Sequence, residues 1–119
     1  MQDQTELEQV ERDIEISIEA ARGVVDRRDK MERLISNPDF AELFTVGYLE
    51  KEASRLVSLL ADNEWQTPEK QAELAADMRS ISGFRQYIMG IKILGKQMAN
   101  QIERSQQELN GLRDESEGE

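Results

Sequence analysis

Cysteine and histidine are both absent from this 119-residue sequence. The lack of cysteine excludes disulfides, thiolate zinc sites and thiol nucleophiles. The lack of histidine removes the commonest general base and the commonest transition-metal ligand. We therefore expect a protein without enzymatic activity, cofactor or metal.

Aromatic residues are scarce, at 5% of the sequence, and no run approaches the roughly 18 apolar residues that a membrane-spanning helix needs. Charged residues make up 34% and apolar residues 38%. This balance favours long helices with a narrow apolar stripe over a thick core. We expect an all-α, elongated, cytoplasmic protein that does not enter membranes.

Apolar residues recur at steps of three and four along most of the sequence, which is typical of helices that pack as coiled coils. The pattern breaks at the only two prolines, each preceded by a residue that caps helices, Asn37 and Thr67. The sequence thus predicts one domain, residues 1–113, with helices at about 5–35, 38–61 and 68–113. Residues 114–119 are predicted to be a flexible acidic tail. The second helix has apolar residues on more than one face, so we expect it to be the best buried.

The third predicted helix is far longer than the second and contains three glycines, Gly83, Gly90 and Gly95. Because the apolar register continues through all three, we expect one uninterrupted helix. In an up-down-up bundle its last part, about residues 95–113, would extend beyond its neighbours and leave an apolar stripe in water. The sequence therefore predicts self-association through this helix, at Ile88, Ile91, Gly95, Met98, Ile102, Leu109 and Leu112.

The net charge of −10 is unevenly distributed along the chain. Residues 1–20 carry −6 and residues 36–77 another −6, whereas residues 78–104 carry +4. Binding to nucleic acid is the weaker interpretation of that basic stretch, because its charges are few and scattered over more than one face. An acidic helix of a partner, or of this protein's own residues 6–19, matches it better. The candidate contacts are Arg79, Arg85, Lys92 and Lys96.

The stretch from Ser36-Asn-Pro-Asp-Phe-Ala-Glu-Leu-Phe to Leu60, followed by Thr67-Pro-Glu to Tyr87, covers about half of the chain. It resembles small acidic helical proteins that tailed bacteriophages encode among their packaging and virion-assembly genes. The resemblance implies a scaffolding, packaging-associated or inhibitory role, usually as an oligomer, in the host cytoplasm or the virion. It implies no catalytic or binding residues, and the basic N-terminal helix-turn-helix of small terminases is missing.

Our leading interpretation is a homo-oligomeric assembly, scaffolding or adaptor protein that acts through its heptad-patterned helices. Another assembly protein or a host protein is the alternative partner. Two further alternatives remain open at this point. One is an acidic inhibitor that imitates DNA and binds a basic host protein, and the other is a packaging protein that contacts DNA through the third helix.

Overall fold

A computed structural model describes residues 4–117, with the side chain of Ser116 excepted, and these residues form helices and no strands. The described chain is therefore all-α, as the sequence predicts. Its elements are α1 (Gln4–Ile35), α2 (Pro38–Phe40), a π-helix (Ala41–Glu52), α3 (Ala53–Leu59), a 3₁₀ turn (Asn63–Trp65) and α4 (Pro68–Glu117). We refer to residues 38–60, which include α2, the π-helix, α3 and its C-cap Leu60, as the central segment.

Side-chain caps explain where the helices begin. The Asn37 side chain accepts hydrogen bonds from the backbone N–H groups of Asp39, at 2.9 Å, and Phe40, at 3.2 Å. The Thr67 hydroxyl accepts one from the N–H of Lys70 at 3.3 Å. In each case the next residue is a proline in the first helical position, where no N–H is needed.

The π-helix replaces an α-helix that we expected throughout residues 38–61. Its wider turn bonds residues five apart, and such helices are rarely longer than one turn. A glycine permits this geometry here: a Cβ atom on Gly47 would lie 2.7 Å from the carbonyl oxygen of Glu42, five residues earlier. A side chain at this position would therefore collide with the backbone of the preceding turn.

The chain divides into two compact units. Unit 1 contains residues 4–30 and 91–117 of the described chain, which belong to α1 and α4. In it Gly95 lies against Arg28, and Arg113 Nη2 donates to Glu15 Oε1 at 2.9 Å. Residue numbers fall along α1 as they rise along α4, so the two helices are antiparallel. Ile18, Ala21 and Leu109 are buried in this unit.

Unit 2 contains Met31–Gly90 and holds the largest buried cluster of the described chain. Phe44 lies 6.3 Å from Phe84 between ring centroids, and Gln71 Nε2 donates to the Leu60 carbonyl at 3.3 Å. The central segment is therefore antiparallel to α4 as well. The cluster consists of Leu49, Leu56, Leu74, Ile81 and Ile88, and the end of α1 packs against it through Met31 and Ile35.

The direction of α1 differs from the expected up-down-up order, which makes the first and third helices parallel. In unit 1 they are antiparallel, because the apolar stripe of α1 packs directly on the second half of α4. α4 itself passes through all three glycines without interruption and continues to Glu117. Residues 114–117 of the expected flexible tail are thus helical, while residues 118 and 119 lie outside the described residues.

Candidate interaction surfaces

The seam predicted to join two chains is covered by the chain's own helices. Ile88 is part of the unit 2 cluster, and Gly95 and Leu109 are buried in unit 1. The other predicted interface residues are partly buried: Ile91, Met98, Ile102 and Leu112. The expectation that the end of α4 leaves its stripe in water is therefore wrong. A stripe shows that a helix packs against something, but it does not show which helix that is.

Gly95 marks a close approach between α1 and α4. A Cβ atom at this position would overlap the Arg28 Cβ and would lie 2.8 Å from its Cγ and Cδ. Gly83 and Gly90, in contrast, have no atom within 4 Å of the place where a Cβ would be. Of these three glycines in α4, only Gly95 is required for packing within the chain.

The four basic residues proposed as partner contacts have different environments. Arg79 and Lys96 are exposed, Lys92 is partly buried, and Arg85 bonds within unit 2. Its Nη2 donates to the Leu49 carbonyl at 2.6 Å.

The change from a π-helix to an α-helix favours a side-chain bond of this kind. A π-helix bonds each N–H to the carbonyl five residues earlier, and an α-helix bonds it to the carbonyl four earlier. Where a π-helix is followed by an α-helix, the two bonding patterns together skip one carbonyl of the last π turn, and that carbonyl receives no N–H from the backbone. Leu49 lies in that turn, and the Arg85 guanidinium is engaged there, inside unit 2.

The central segment exposes several large apolar side chains. Leu49 and Leu56 are buried, but five other large apolar residues are exposed. The expectation that this is the best-buried helix is therefore wrong, because the described chain supplies cover for one side of it. These five residues form what we call the central surface: Leu43, Phe44, Val46, Val57 and Leu60.

Aromatic rings join part of this surface to α4. The Phe40 and Phe44 ring centroids are 5.0 Å apart, and Phe84 lies 6.3 Å from Phe44 and 6.0 Å from Tyr48. Tyr87, three residues after Phe84, is more than half exposed on a neighbouring position of the same helix. Aromatic side chains at a partly exposed site are common anchors of protein interfaces.

α4 has exposed apolar residues of its own, which are Tyr87 and Met89 in unit 2 and Ile93 and Leu94 in unit 1. Each is more than half exposed. They belong to residues 78–102, a stretch of 25 residues that contains no Asp or Glu although the chain has 25 such residues. These exposed apolar residues therefore lie in a stretch whose charged residues are all basic.

A groove on one side of unit 2 is acidic. Tyr48, Glu52 and Asp77 line it above a floor of Leu56 and Ile81.

Arg55 donates to both carboxylate oxygens of Glu52, at 2.9 and 2.5 Å. This hydrogen bond lowers the pKa of Glu52, and the same bond raises the pKa of Arg55. The two hydrogen bonds hold the Glu52 carboxylate and the Arg55 guanidinium in one orientation at the edge of the groove.

Two chemical features are missing from the described part of the chain. Within residues 4–117, no group of three or more acidic side chains is arranged to hold a metal ion. No helix there has an apolar stretch long enough to cross a membrane.

The described residues define an all-α protein that exposes large apolar side chains on its central segment and on α4. No protein-family model matches the chain, and neither the curated proteins nor the solved structures include a match to it.

Proposed function

We propose that this protein is a non-enzymatic assembly, scaffolding or adaptor protein that associates with copies of itself. The observation that carries the proposal is the central segment, which is apolar around most of its circumference but packs on one side only. A helix that is apolar all round is normally buried all round. α4 buries one side of the central segment, and the surface of another protein molecule would bury the apolar residues that remain exposed.

The energies favour an association that depends on concentration. Full burial of one large apolar side chain stabilises by roughly 1.5–3 kcal/mol, so half-burial contributes about 1 kcal/mol. The five residues of the central surface and the four exposed apolar residues of α4, each half-buried on association, would together contribute roughly 9 kcal/mol. Association costs roughly 4–15 kcal/mol, and at the lower end about 5 kcal/mol of favourable free energy remains, so we expect oligomers at concentrations of roughly 0.2 mM and above.

Coiled-coil packing is part of the proposal. Along α4 the most buried positions are Leu74, Ile81, Ile88, Gly95 and Leu109, which are separated by seven residues or by a multiple of seven. Such a repeat keeps one stripe facing its neighbour only if the helices wind around each other with a left-handed twist. A chain built this way can extend its packing to further helices by the same side-chain geometry.

The bacteriophage resemblance supplies a context for this role. Scaffolding and packaging-associated proteins act as oligomers without catalysing a reaction, and we propose that this chain works in the same way in a host cytoplasm or a virion. The acidic composition and the lack of histidine and cysteine support the non-enzymatic part of this proposal.

Light scattering over a wide concentration range tests the proposal. We expect the wild-type mass to rise to a multiple of 13.7 kDa, and the double variant Leu43→Glu, Val57→Glu to stay monomeric. The matched control is Ile16→Glu on α1: Ile16 is 61% exposed, close to the 64% of Leu43 and the 57% of Val57. A wild-type chain that stays monomeric throughout, or a control that dissociates as readily as the double variant, would contradict the proposal.

A further inference from the structure

The π-helix and the start of α3 contain apolar residues at two different spacings. One set follows steps of three and four, which is the spacing of a single α-helix face: Val46, Leu49, Ala53 and Leu56. Phe44 and Leu49 are five residues apart, and an α-helix would place them about 140° apart around its axis. In a π-helix, whose hydrogen bonds join residues five apart, the same two residues are neighbours on successive turns.

The structure uses the second spacing. Phe44 lies 6.3 Å from Phe84 of α4 between ring centroids, and Leu49 is buried in the unit 2 cluster. Val46 is 37% exposed, although Ala53, seven residues later, packs against that cluster. In a continuous α-helix, Val46 and Ala53 would lie within about 20° of each other around the axis. α4 would then contact Val46, and Phe44 would turn away from Phe84.

The local sequence of the π-helix favours an α-helix. The segment is continuous with α-helices at both ends, α2 and α3. Seven of its twelve residues are alanine, leucine, glutamate or lysine, which are strong α-helix formers. π-helices are rare, appear mostly as single turns inside α-helices, and are frequent at functional sites. An α-helix through residues 41–52 is therefore a competing state of the same segment.

Gly47 is compatible with both states. In the π-helix, a Cβ atom at this position would lie 2.7 Å from the carbonyl oxygen of Glu42, so only glycine fits. In an α-helix, the hydrogen bond joins residues four apart, and alanine is more favourable than glycine. Replacing Gly47 by alanine therefore disfavours the π-helix and favours the α-helix.

Arg85 of α4 favours the π-helix. The N–H of Ala53, the first residue of α3, donates to the carbonyl of Glu50. In a continuous α-helix this N–H would donate to the Leu49 carbonyl, four residues earlier. In the structure the Leu49 carbonyl accepts instead from Arg85 Nη2, at 2.6 Å. Arg85 thus supplies a donor that the π-helix needs and a continuous α-helix does not.

We infer that residues 41–52 are a two-state element, which converts between the π-helix held by Arg85 and an α-helix that packs Val46 in place of Phe44 against α4. Three residues of the central surface lie in this element, namely Leu43, Phe44 and Val46. The conversion therefore changes which apolar side chains a binding partner meets. A partner that binds one state more tightly shifts the equilibrium by its difference in affinity.

Gly47→Ala tests this inference by NMR at concentrations at which the chain is monomeric. We expect the variant to stay folded, to lose the nuclear Overhauser effect between the Phe44 and Phe84 rings, and to gain one between the Val46 methyl groups and α4. The matched control is Gly90→Ala, because a Cβ atom at Gly90 has no atom within 4 Å. This control should keep the wild-type pattern of contacts.

Chemical-exchange saturation transfer provides a second readout, which does not depend on the alanine variant being the major species. We expect residues 41–52 of the wild-type chain to exchange with a minor state whose chemical shifts match those of Gly47→Ala. Arg85→Met removes the donor to the Leu49 carbonyl, and we expect it to increase the population of the minor state about tenfold.

Three results would overturn the inference. The first is a folded Gly47→Ala chain that keeps the ring contact, and the second is unfolding of unit 2 in this variant but not in Gly90→Ala, since an accessible α-helix accepts alanine. The third is an Arg85→Met chain in which residues 41–52 show no second state. Because every measurement uses the monomeric chain, such a result leaves the proposed self-association unaffected.

Discussion

Three glycines in α4 should respond to the same substitution with opposite signs. We expect Gly83→Ala and Gly90→Ala to raise the free energy of unfolding and Gly95→Ala to lower it. All three lie inside one continuous helix, so the backbone contribution of alanine is the same at each position. The difference arises from what the new Cβ meets, which is open space at Gly83 and Gly90 and the Arg28 side chain at Gly95.

The magnitudes follow from two opposing effects. Alanine is more favourable than glycine inside a helix by roughly 0.5–1 kcal/mol, which is the gain expected at Gly83 and Gly90. At Gly95 the same gain is offset by overpacking, which typically costs about 1–3 kcal/mol. The overlap involves Arg28 Cβ, which is fixed to the α1 backbone, so rotating the side chain cannot relieve it. We therefore expect Gly95→Ala to destabilise by roughly 0.5–2 kcal/mol.

Urea unfolding followed by circular dichroism, at protein concentrations low enough to keep the chain monomeric, measures these differences. Arg28→Gly is the control, because it removes the Cβ that the new methyl group would meet. In that background Gly95→Ala should become as favourable as Gly90→Ala. Equal stabilisation by all three substitutions in the wild-type background would refute the close approach of α1 and α4 at this point.

Three further substitutions test the interior of unit 2. Leu56→Ala should destabilise by about 2–5 kcal/mol in urea unfolding, because this side chain is 2% exposed; a loss below about 1 kcal/mol would contradict its burial. Arg85→Met should cost about 1–3 kcal/mol by removing the side chain that donates to the Leu49 carbonyl, and unchanged stability would mean that this bond is not needed. The Glu52 carboxylate should titrate below its ordinary pKa of 4.5 in NMR, so its stabilisation is present above that pH and is lost as the pH falls through the folded value. Arg55→Gln should return this pKa to the ordinary value, and a Glu52 pKa at 4.5 in the wild type would contradict the pairing.

The all-α class and the helix starts could be predicted because their causes are local. Asn37 followed by Pro38 determines a helix start through one capping side chain and one fixed backbone angle, and the structure has this start at the same residue. The continuity of α4 could be predicted for a related reason, since a seven-residue repeat survives three glycines only in an unbroken helix. The capping residues and the seven-residue repeat both depend on residues that are close together in the sequence.

The pairing of helices could not be predicted in this way. The stripe around Gly95 and Leu109 indicated that the second half of α4 packs against something, and a second chain and α1 satisfy that stripe equally well. The charges and the apolar periodicity do not distinguish the two. The decisive feature is a fit between residues far apart in sequence, the missing Cβ of Gly95 and the Cβ of Arg28.

The exposure of the central segment was missed for a different reason. Apolar residues on several faces indicate that several faces become buried, and the prediction assumed that the burial occurs within one chain. The π-helix adds a second difficulty, because its wider turn changes which residues share a side. Gly47 was the available signal, since a glycine within an apolar helix often marks a place where backbone atoms approach closely.

The division of α4 between the two units also suggests an order of folding. Unit 2 is one continuous stretch, Met31–Gly90, whereas unit 1 joins residues 4–30 to residues 91–117 across those 60 residues. Contacts between nearby residues form faster, because the entropy lost in closing a loop increases with its length. During synthesis, unit 2 can therefore form as soon as residue 90 has left the ribosome, while the first 30 residues still lack their neighbour. The first part of α4 is then already helical, so residues 91–117 can extend an existing helix without forming a new first turn. α1 can pack against these residues as they become helical.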